Sequence, residues 1–278
     1  MDKKIEFAVR LIQAAANMAE QHGQPLEIAY SGGKDSDCIL ELAKMAGINY
    51  RAIYKNTTID PPHTIAHCKS KGVEIMQPKM RFAEVIRKCG MPSRHYRVCC
   101  DYLKEYKILD YVVIGVRRSE STKRAKRYHE PEQCRVYKGG QRERQYFPIL
   151  EWSDQDVKQF IEMRGIKCHP LYYDKLGFFH VERRLGCLAC PLQSKAKRIE
   201  EFQKYPRMVN FYINNILEFM RTHPNNALER NFGSAYAALC RELFYNSNEE
   251  FQYARHNNLF GEEANYKSFL EIFFNIKL

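Results

Sequence analysis

LEIAYSGGKDSDCIL, residues 26–40, carries three kinds of local pattern in fifteen residues. Leu26, Ile28 and Tyr30 alternate as on a short, mostly apolar strand. Ser31-Gly32-Gly33 then lets the backbone turn where bulkier residues would clash. From Asp35 onward, Cys38, Ile39, Leu42 and Met45 recur on one face of a helix. A strand, a glycine turn and a helix N-terminus together form an anion site, because the first N–H groups of the helix lack partners and its dipole favours negative charge. Ser31 and Ser36 add hydroxyls and Lys34 a point charge, so the natural guest is a phosphate or pyrophosphate. A plain glycine turn capped by Asp35 or Ser36 is the blander alternative.

Around this stretch, apolar strand-like runs alternate with helical ones. A helix is expected over about 3–22, strands over 49–56 and 73–76, and a short helix over 64–71. Further helices are expected over 82–89 and 100–109. Tyr111–Gly115 (YVVIG) is a buried strand ending at Arg117-Arg118. The alternation predicts an α/β fold, a doubly wound, mostly parallel sheet covered on both faces. Ligands of such sheets lie beyond the carboxyl ends of the strands, where the 31–36 loop, Thr57/Asp60 and Arg117/Arg118 all fall. From Ser119 to Gln145 the chain is polar with weak periodicity, as in a functional or mobile segment. Ser153-Asp-Gln-Asp156 signals a helix start. After Ser194 the pattern is helical, with an aromatic face (Phe202, Tyr205, Phe211, Tyr212, Phe219) that reads as core. The expected division is therefore 1–194 and 195–278.

The chain has 278 residues, 45% of them hydrophobic, with 16 Phe and 18 Tyr, enough for a sizeable core. The charged opening reads as an amphipathic helix, not a signal peptide, and no run is long enough to span a membrane. Ten cysteines in such a chain suggest reduced thiols or metal ligands in the cytoplasm. Net charge is +11, and Lys79–Arg144 alone holds 18 basic against 8 acidic residues. A solvated basic face would account for that. Because the same segment bears motif residues, an anionic substrate is the preferred reading: nucleotide, sulfonucleotide or nucleic acid.

Ser31–Ser36 does not fit the Walker loop spacing. It resembles the SGGKDS signature of the PP-loop ATP pyrophosphatases, which include the PAPS reductase family. Residues 115–127 (GVRRSESTKRAKR) are similar to a segment of the ATP sulfurylase small subunit and its PP-loop relatives. Pro148-Ile…Trp152-Ser…Asp156-Val, His169-Pro-Leu-Tyr172 and Gly186-Cys-x-x-Cys190 follow the order of the PAPS reductase group, so the resemblance covers about 20–195. It implies a loop that holds the pyrophosphate of ATP, with Mg, while the α-phosphate is attacked and AMP transferred. The nucleotide-binding set is then Ser31, Gly32, Gly33, Lys34, Asp35, Ser36, Arg117, Arg118, Glu120 and Arg124, with Lys34 and Arg117 as the catalytic pair. Glu120 would orient an arginine or meet a metal. The forked guanidiniums suit phosphate or sulfate oxygens.

Cys99-Cys100 and Cys187-x-x-Cys190 supply four soft thiolates. The arrangement is similar to that of assembly-type APS reductases, which implies a [4Fe–4S] cluster. Zn²⁺ and redox-active or structural thiols are the alternatives, and adjacent ligands fit a single small Zn²⁺ poorly. Cys38 reads as core, and Cys134 is the one other thiol considered as a sulfur carrier.

The retained Lys34 points to ATP, since sulfonucleotide reductases generally lack it. The expected activity is that of a PP-loop enzyme activating an acceptor by adenylation for sulfur transfer, with nucleic-acid thiolation as one form. A sulfur-donor protein and a homo-oligomer or partner complex are expected. A phosphoadenylyl- or adenylyl-sulfate reductase is the runner-up, disfavoured because no cysteine follows Cys240. A non-catalytic nucleotide-binding subunit is the third reading.

Overall fold

The computed structural model describes residues 1–137, 139–256 and 265–278. In chain order the elements are α1 (Asp2–Gln21), β1 (Leu26–Tyr30), α2 (Lys34–Ala46), β2 (Tyr50–Lys55), α3 (Thr64–Ser70), β3 (Glu74–Met76), α4 (Phe82–Cys89), α5 (Val98–Leu103) and β4 (Tyr111–Ile114). Then come α6 (Thr122–Arg127), β5 (Glu132–Val136), β6 (Arg142–Tyr146), α7 (Asp154–Arg164), α8 (Lys195–Lys204) and α9 (Arg207–Thr222). Last are α10 (Ala227–Phe232), α11 (Ala235–Phe244), α12 (Asn248–His256) and α13 (Tyr266–Phe274). No described helix is long and apolar enough to cross a membrane.

The chain divides into two compact units. The first comprises 1–56, 60–78 and 105–186, and the second 57–59, 79–104 and 187–278. The expected boundary at 194/195 is thus replaced by one that assigns both cysteine pairs to the unit of the C-terminal helices. Packing explains it: Phe82, Val85 and Ile86 of α4 share one core with Phe202, Tyr212, Ile213 and Ile216.

The first unit is a six-stranded sheet in the order β3-β2-β1-β4-β6-β5. Leu26 pairs with Tyr50, Glu27 with Val112 and Tyr111 with Arg144, all in parallel, and only β5 runs antiparallel, to β6. Helices flank it: α1 buries Ile5, Ala8, Ile12, Ala15 and Ala19 on one stripe, and α2 buries Cys38, Ile39 and Leu42. β1 has β2 on one side and β4 on the other, so the strand order reverses there. The crevice outside the carboxyl ends of β1 and β4 is the place where such sheets bind ligands.

The polar segment 119–145 is more ordered than its composition suggested. It forms a 3₁₀ turn (Arg118–Glu120), α6 and the β5–β6 hairpin, in which β5 is a polar edge strand and the buried positions of β6 include the polar Glu143 and Gln145, so the strand periodicity is hidden. The helix expected over 100–109 is shorter, 98–103.

The second unit is helical. The aromatic face expected after Ser194 is core at Phe202 and Tyr212, whose rings lie 5.4 Å apart. Arg198 is buried in this unit against Glu242, at 2.8 Å.

Candidate nucleotide and metal sites

Gly32 has φ +77°, a conformation L side chains rarely adopt, and a Cβ there would stand 3.1 Å from Leu185 Cδ2. Gly33 caps α2, and Gly115 after β4 lets the helix start approach closely, since its Cβ would lie 3.1 Å from the Asp35 backbone. The end of β4 meets the turn after β1 at this Gly115–Asp35 approach. Ser36 Oγ donates to Gly33 O at 2.7 Å and Ser31 Oγ to Ser36 Oγ at 3.2 Å, which holds the turn in shape.

Over this turn lies a cavity of about 220 Å³ lined by Ser31, Gly33, Lys34, Asp35, Gly115, Glu120, Arg124, Tyr172, Arg184 and Leu185. Lys34 is 3% exposed, its Nζ 3.4 Å from Asp35 Oδ2, 3.5 Å from Arg183 O and over the Tyr172 ring. Arg124 and Arg184 both pair with Glu120. Burial, and then the charge of Arg184, push the Arg124 guanidinium downward in pKa. Two guanidiniums and an ammonium against two carboxylates leave the cavity suited to an anion.

Arg117 is not in that cavity wall. It is 1% exposed, and its Nε donates to Asp35 Oδ1 (2.7 Å), Nη1 to Ser119 Oγ (3.0 Å) and Trp152 O (3.3 Å), and Nη2 to Asp154 Oδ1 (2.8 Å). Its fork is occupied by protein. Arg118 points to the surface and pairs with Glu151 at 2.9 Å. Of the residues expected to bind nucleotide, Ser31, Gly33, Lys34, Asp35, Glu120 and Arg124 line one cavity. Gly32 and Ser36 shape the turn, and Arg117 buttresses Asp35. Sequence reading missed Arg184, which looked like lead-in to the Gly186-Cys187 motif, and the hydroxyl of Tyr172.

His169 is fully buried, its Nδ1 accepting from Leu171 N and its Nε2 3.3 Å from Thr64 Oγ1. Burial, then the charges of His67 and His63, lower its pKa to about 4. Cys38 is core, its thiol pushed up by burial, and Cys134 is exposed on the edge strand β5.

In the second unit all four cysteines, Cys99, Cys100, Cys187 and Cys190, line one small apolar cavity with Thr57, Ile59, Phe82, Leu103, Leu188 and Tyr212. Thr57, expected at the nucleotide crevice, instead lies here, with Cys187 Sγ 3.6 Å from its Oγ1. The Cys-x-x-Cys turn is held at its backbone: Leu188 N–H donates to Ile59 O (2.9 Å) and Ala189 N–H to Glu201 Oε2 (2.6 Å). Ala189 sits at φ 51°, a strained value for a non-glycine residue. Arg97 Nη2 donates to Cys100 Sγ at 3.4 Å. The hydrogen bond from Cys99 and the Arg97 charge hold the Cys100 thiol down to about 6. Among the described residues no group of three or more His, Cys, Asp or Glu is arranged to hold a metal ion.

The sheet order, the glycine turn after its first strand and the charged cavity define a nucleotide-binding α/β domain. Residues 25–193 match the profile of the phosphoadenosine phosphosulfate reductase domain, and the chain belongs to that family. An uncharacterized protein of Methanocaldococcus jannaschii is 28% identical over 235 residues, 79% of this chain and 54% of the relative. A phosphoadenosine 5'-phosphosulfate reductase of Xanthomonas euvesicatoria is 37% identical over 73 residues, 25% of this chain and 27% of that one. The crystal structure of PAPS reductase from Candida auris aligns at TM-score 0.45 and 18% identity, covering 64% of this chain and 89% of that one. The chain spans about half the length, or less, of the curated relatives it matches.

Proposed function

We propose that this chain is an ATP-cleaving enzyme that adenylates an acceptor as the first step of sulfur transfer. The observation that carries the reading is the cavity over the α2 N-terminus, where Lys34, Arg124 and Arg184 surround the glycine turn. A helix N-terminus, with its dipole, and three cations are what a triphosphate requires. A nucleophilic atom of the acceptor attacks the α-phosphorus, the bond from that phosphorus to the bridging oxygen breaks, and pyrophosphate leaves with the electron pair. Lys34 and the turn hold the leaving pyrophosphate, while Arg124 and Arg184 neutralise charge on the reacting phosphate. A sulfur nucleophile from a donor protein then displaces AMP. Mg²⁺ bound with the nucleotide would neutralise phosphate charge and would need only one or two protein carboxylates. Asp35 and Glu120 are in place for that.

The four cysteines fit an iron–sulfur cluster better than a single ion. They line one small cavity, and the adjacent Cys99 and Cys100 fit poorly around a single small Zn²⁺. A cluster presents irons at separate corners and takes ligands spread more widely. Arg97 and Lys104 beside the cysteines suit its negative charge. Bound there, a [4Fe–4S] centre would supply electron or sulfide chemistry to the transfer.

A nucleic-acid acceptor is favoured by α6, which turns Lys123, Lys126 and Arg127 outward while Arg124 faces the cavity. The test is release of AMP and pyrophosphate from ATP by the anaerobically purified chain, with and without RNA or DNA at low salt. Release stimulated by nucleic acid supports the reading. Nucleotide binding with no cleavage under any condition overturns it in favour of a non-catalytic subunit.

A further inference from the structure

The Tyr172 hydroxyl lies at the start of α2, within the cavity over the glycine turn. It accepts from Lys34 N–H at 3.2 Å and from Leu185 N–H at 3.3 Å. A phenolic oxygen has two lone pairs and one hydrogen. Both lone pairs are therefore used by backbone donors, and among the described residues no acceptor takes the hydrogen. Ordinarily a buried hydroxyl satisfies its donor as well. The ring is 2% exposed and packed beside Phe179, and the Tyr172 carbonyl accepts from His180 N–H at 2.7 Å, so the hydroxyl is fixed in place. A Cβ on Gly33 would stand 3.3 Å from it. Burial pushes the phenol up, so it keeps its proton at any working pH.

We propose that Tyr172 is a phosphate-binding residue, whose hydroxyl, clamped by the N–H groups of Lys34 and Leu185, donates its hydrogen to a phosphate oxygen of the ligand. The proposal rests on the nucleotide reading above and refines it. The anion site gains a donor that comes from the 3₁₀ turn at Pro170–Tyr172 and not from the loop itself. A fixed neutral donor of this kind selects an acceptor oxygen and gives nothing to the base or the sugar.

Tyr172→Phe removes the hydroxyl and keeps the ring. Binding of ATP, inorganic pyrophosphate and adenosine to wild type and variant is measured by calorimetry, with the melting temperature as a check on folding. A hydrogen bond to a charged group should make ATP and pyrophosphate bind about ten- to a hundred-fold more weakly, with adenosine changed by less than about two-fold. Unchanged ATP and pyrophosphate affinities would overturn the proposal. So would an equal loss for all three ligands, which marks a packing role. A wild-type chain that binds neither ATP nor pyrophosphate would instead overturn the nucleotide reading itself.

Discussion

Arg117 Nε donates to Asp35 Oδ1 at 2.7 Å, joining the segment after β4 to the first turn of α2. The same guanidinium reaches Trp152 O and Asp154, so one buried cation fixes three segments around the carboxylate at the loop. It acts on the site through Asp35, as a positioning residue.

Arg117→Met should leave Asp35 with Lys34 as its remaining cationic partner. Breaking a fully buried pair costs about 3–5 kcal/mol, and here about 2 kcal/mol is expected because Asp35 and Asp154 keep contact with solvent. ATP affinity should fall with it, and Arg117→Lys, which lacks the fork, should restore little. Urea unfolding together with ATP titration of the two variants checks this. Full recovery by lysine would mean that charge alone matters.

Glu242→Ala strands the Arg198 guanidinium in the helical unit, where the two side chains are 3% and 8% exposed. The expected loss is about 3–5 kcal/mol, with most of it recovered in the double variant Arg198→Met/Glu242→Leu. Denaturant midpoints of the single and double variants decide. A loss under about 1 kcal/mol would show that the pair is effectively solvated.

Stability should fall as pH drops below about 6.5. His169 has a folded pKa near 4, so between 6.5 and 4 the unfolded chain binds a proton that the folded chain refuses. The penalty is absent above pH 7, grows through that window and levels off below pH 4, reaching about 3 kcal/mol. Melting curves of wild type and His169→Gln over pH 4.5–8 isolate it, because the gap between them should narrow steadily on acidification. A constant gap would contradict the assignment.

Iron and sulfide in the anaerobically isolated protein should be equal, at about four of each per chain. Serine at any one of Cys99, Cys100, Cys187 and Cys190 should lower that content, and Glu201→Ala should do so by releasing the Ala189 turn. One zinc and no iron would replace the cluster with the alternative metal.

Much of this was legible in the sequence, for reasons that differ by element. The strand, glycine turn and helix of 26–46 announce themselves because each is specified by neighbours in the chain: Leu26/Ile28, Gly32/Gly33, Cys38/Ile39/Leu42. The β5–β6 hairpin was missed because β5 is a polar edge strand and the buried positions of β6 include Glu143 and Gln145, so neither strand carries a hydrophobic period. Arg117 was read as a ligand because a guanidinium at a strand end has no sequence mark distinguishing phosphate from Asp35 as its partner. Glu201 and Asp154 act across long sequence separations, and nothing local points to Ala189 or Arg117. The unit boundary was misplaced for the same reason, since α4 meets α9 only through tertiary packing.

The central claim, that the 31–36 turn holds the outer phosphates of ATP, is tested most directly by titrating ATP and AMP into wild type and Lys34→Ala. The buried Lys34 ammonium sits at the turn, and a phosphate chain bound there by its outer phosphates requires that only the longer nucleotide reach it. ATP should bind at least about ten-fold more weakly to the variant, and AMP within about two-fold of wild type. An equal loss for both nucleotides, or no loss for ATP, would contradict it.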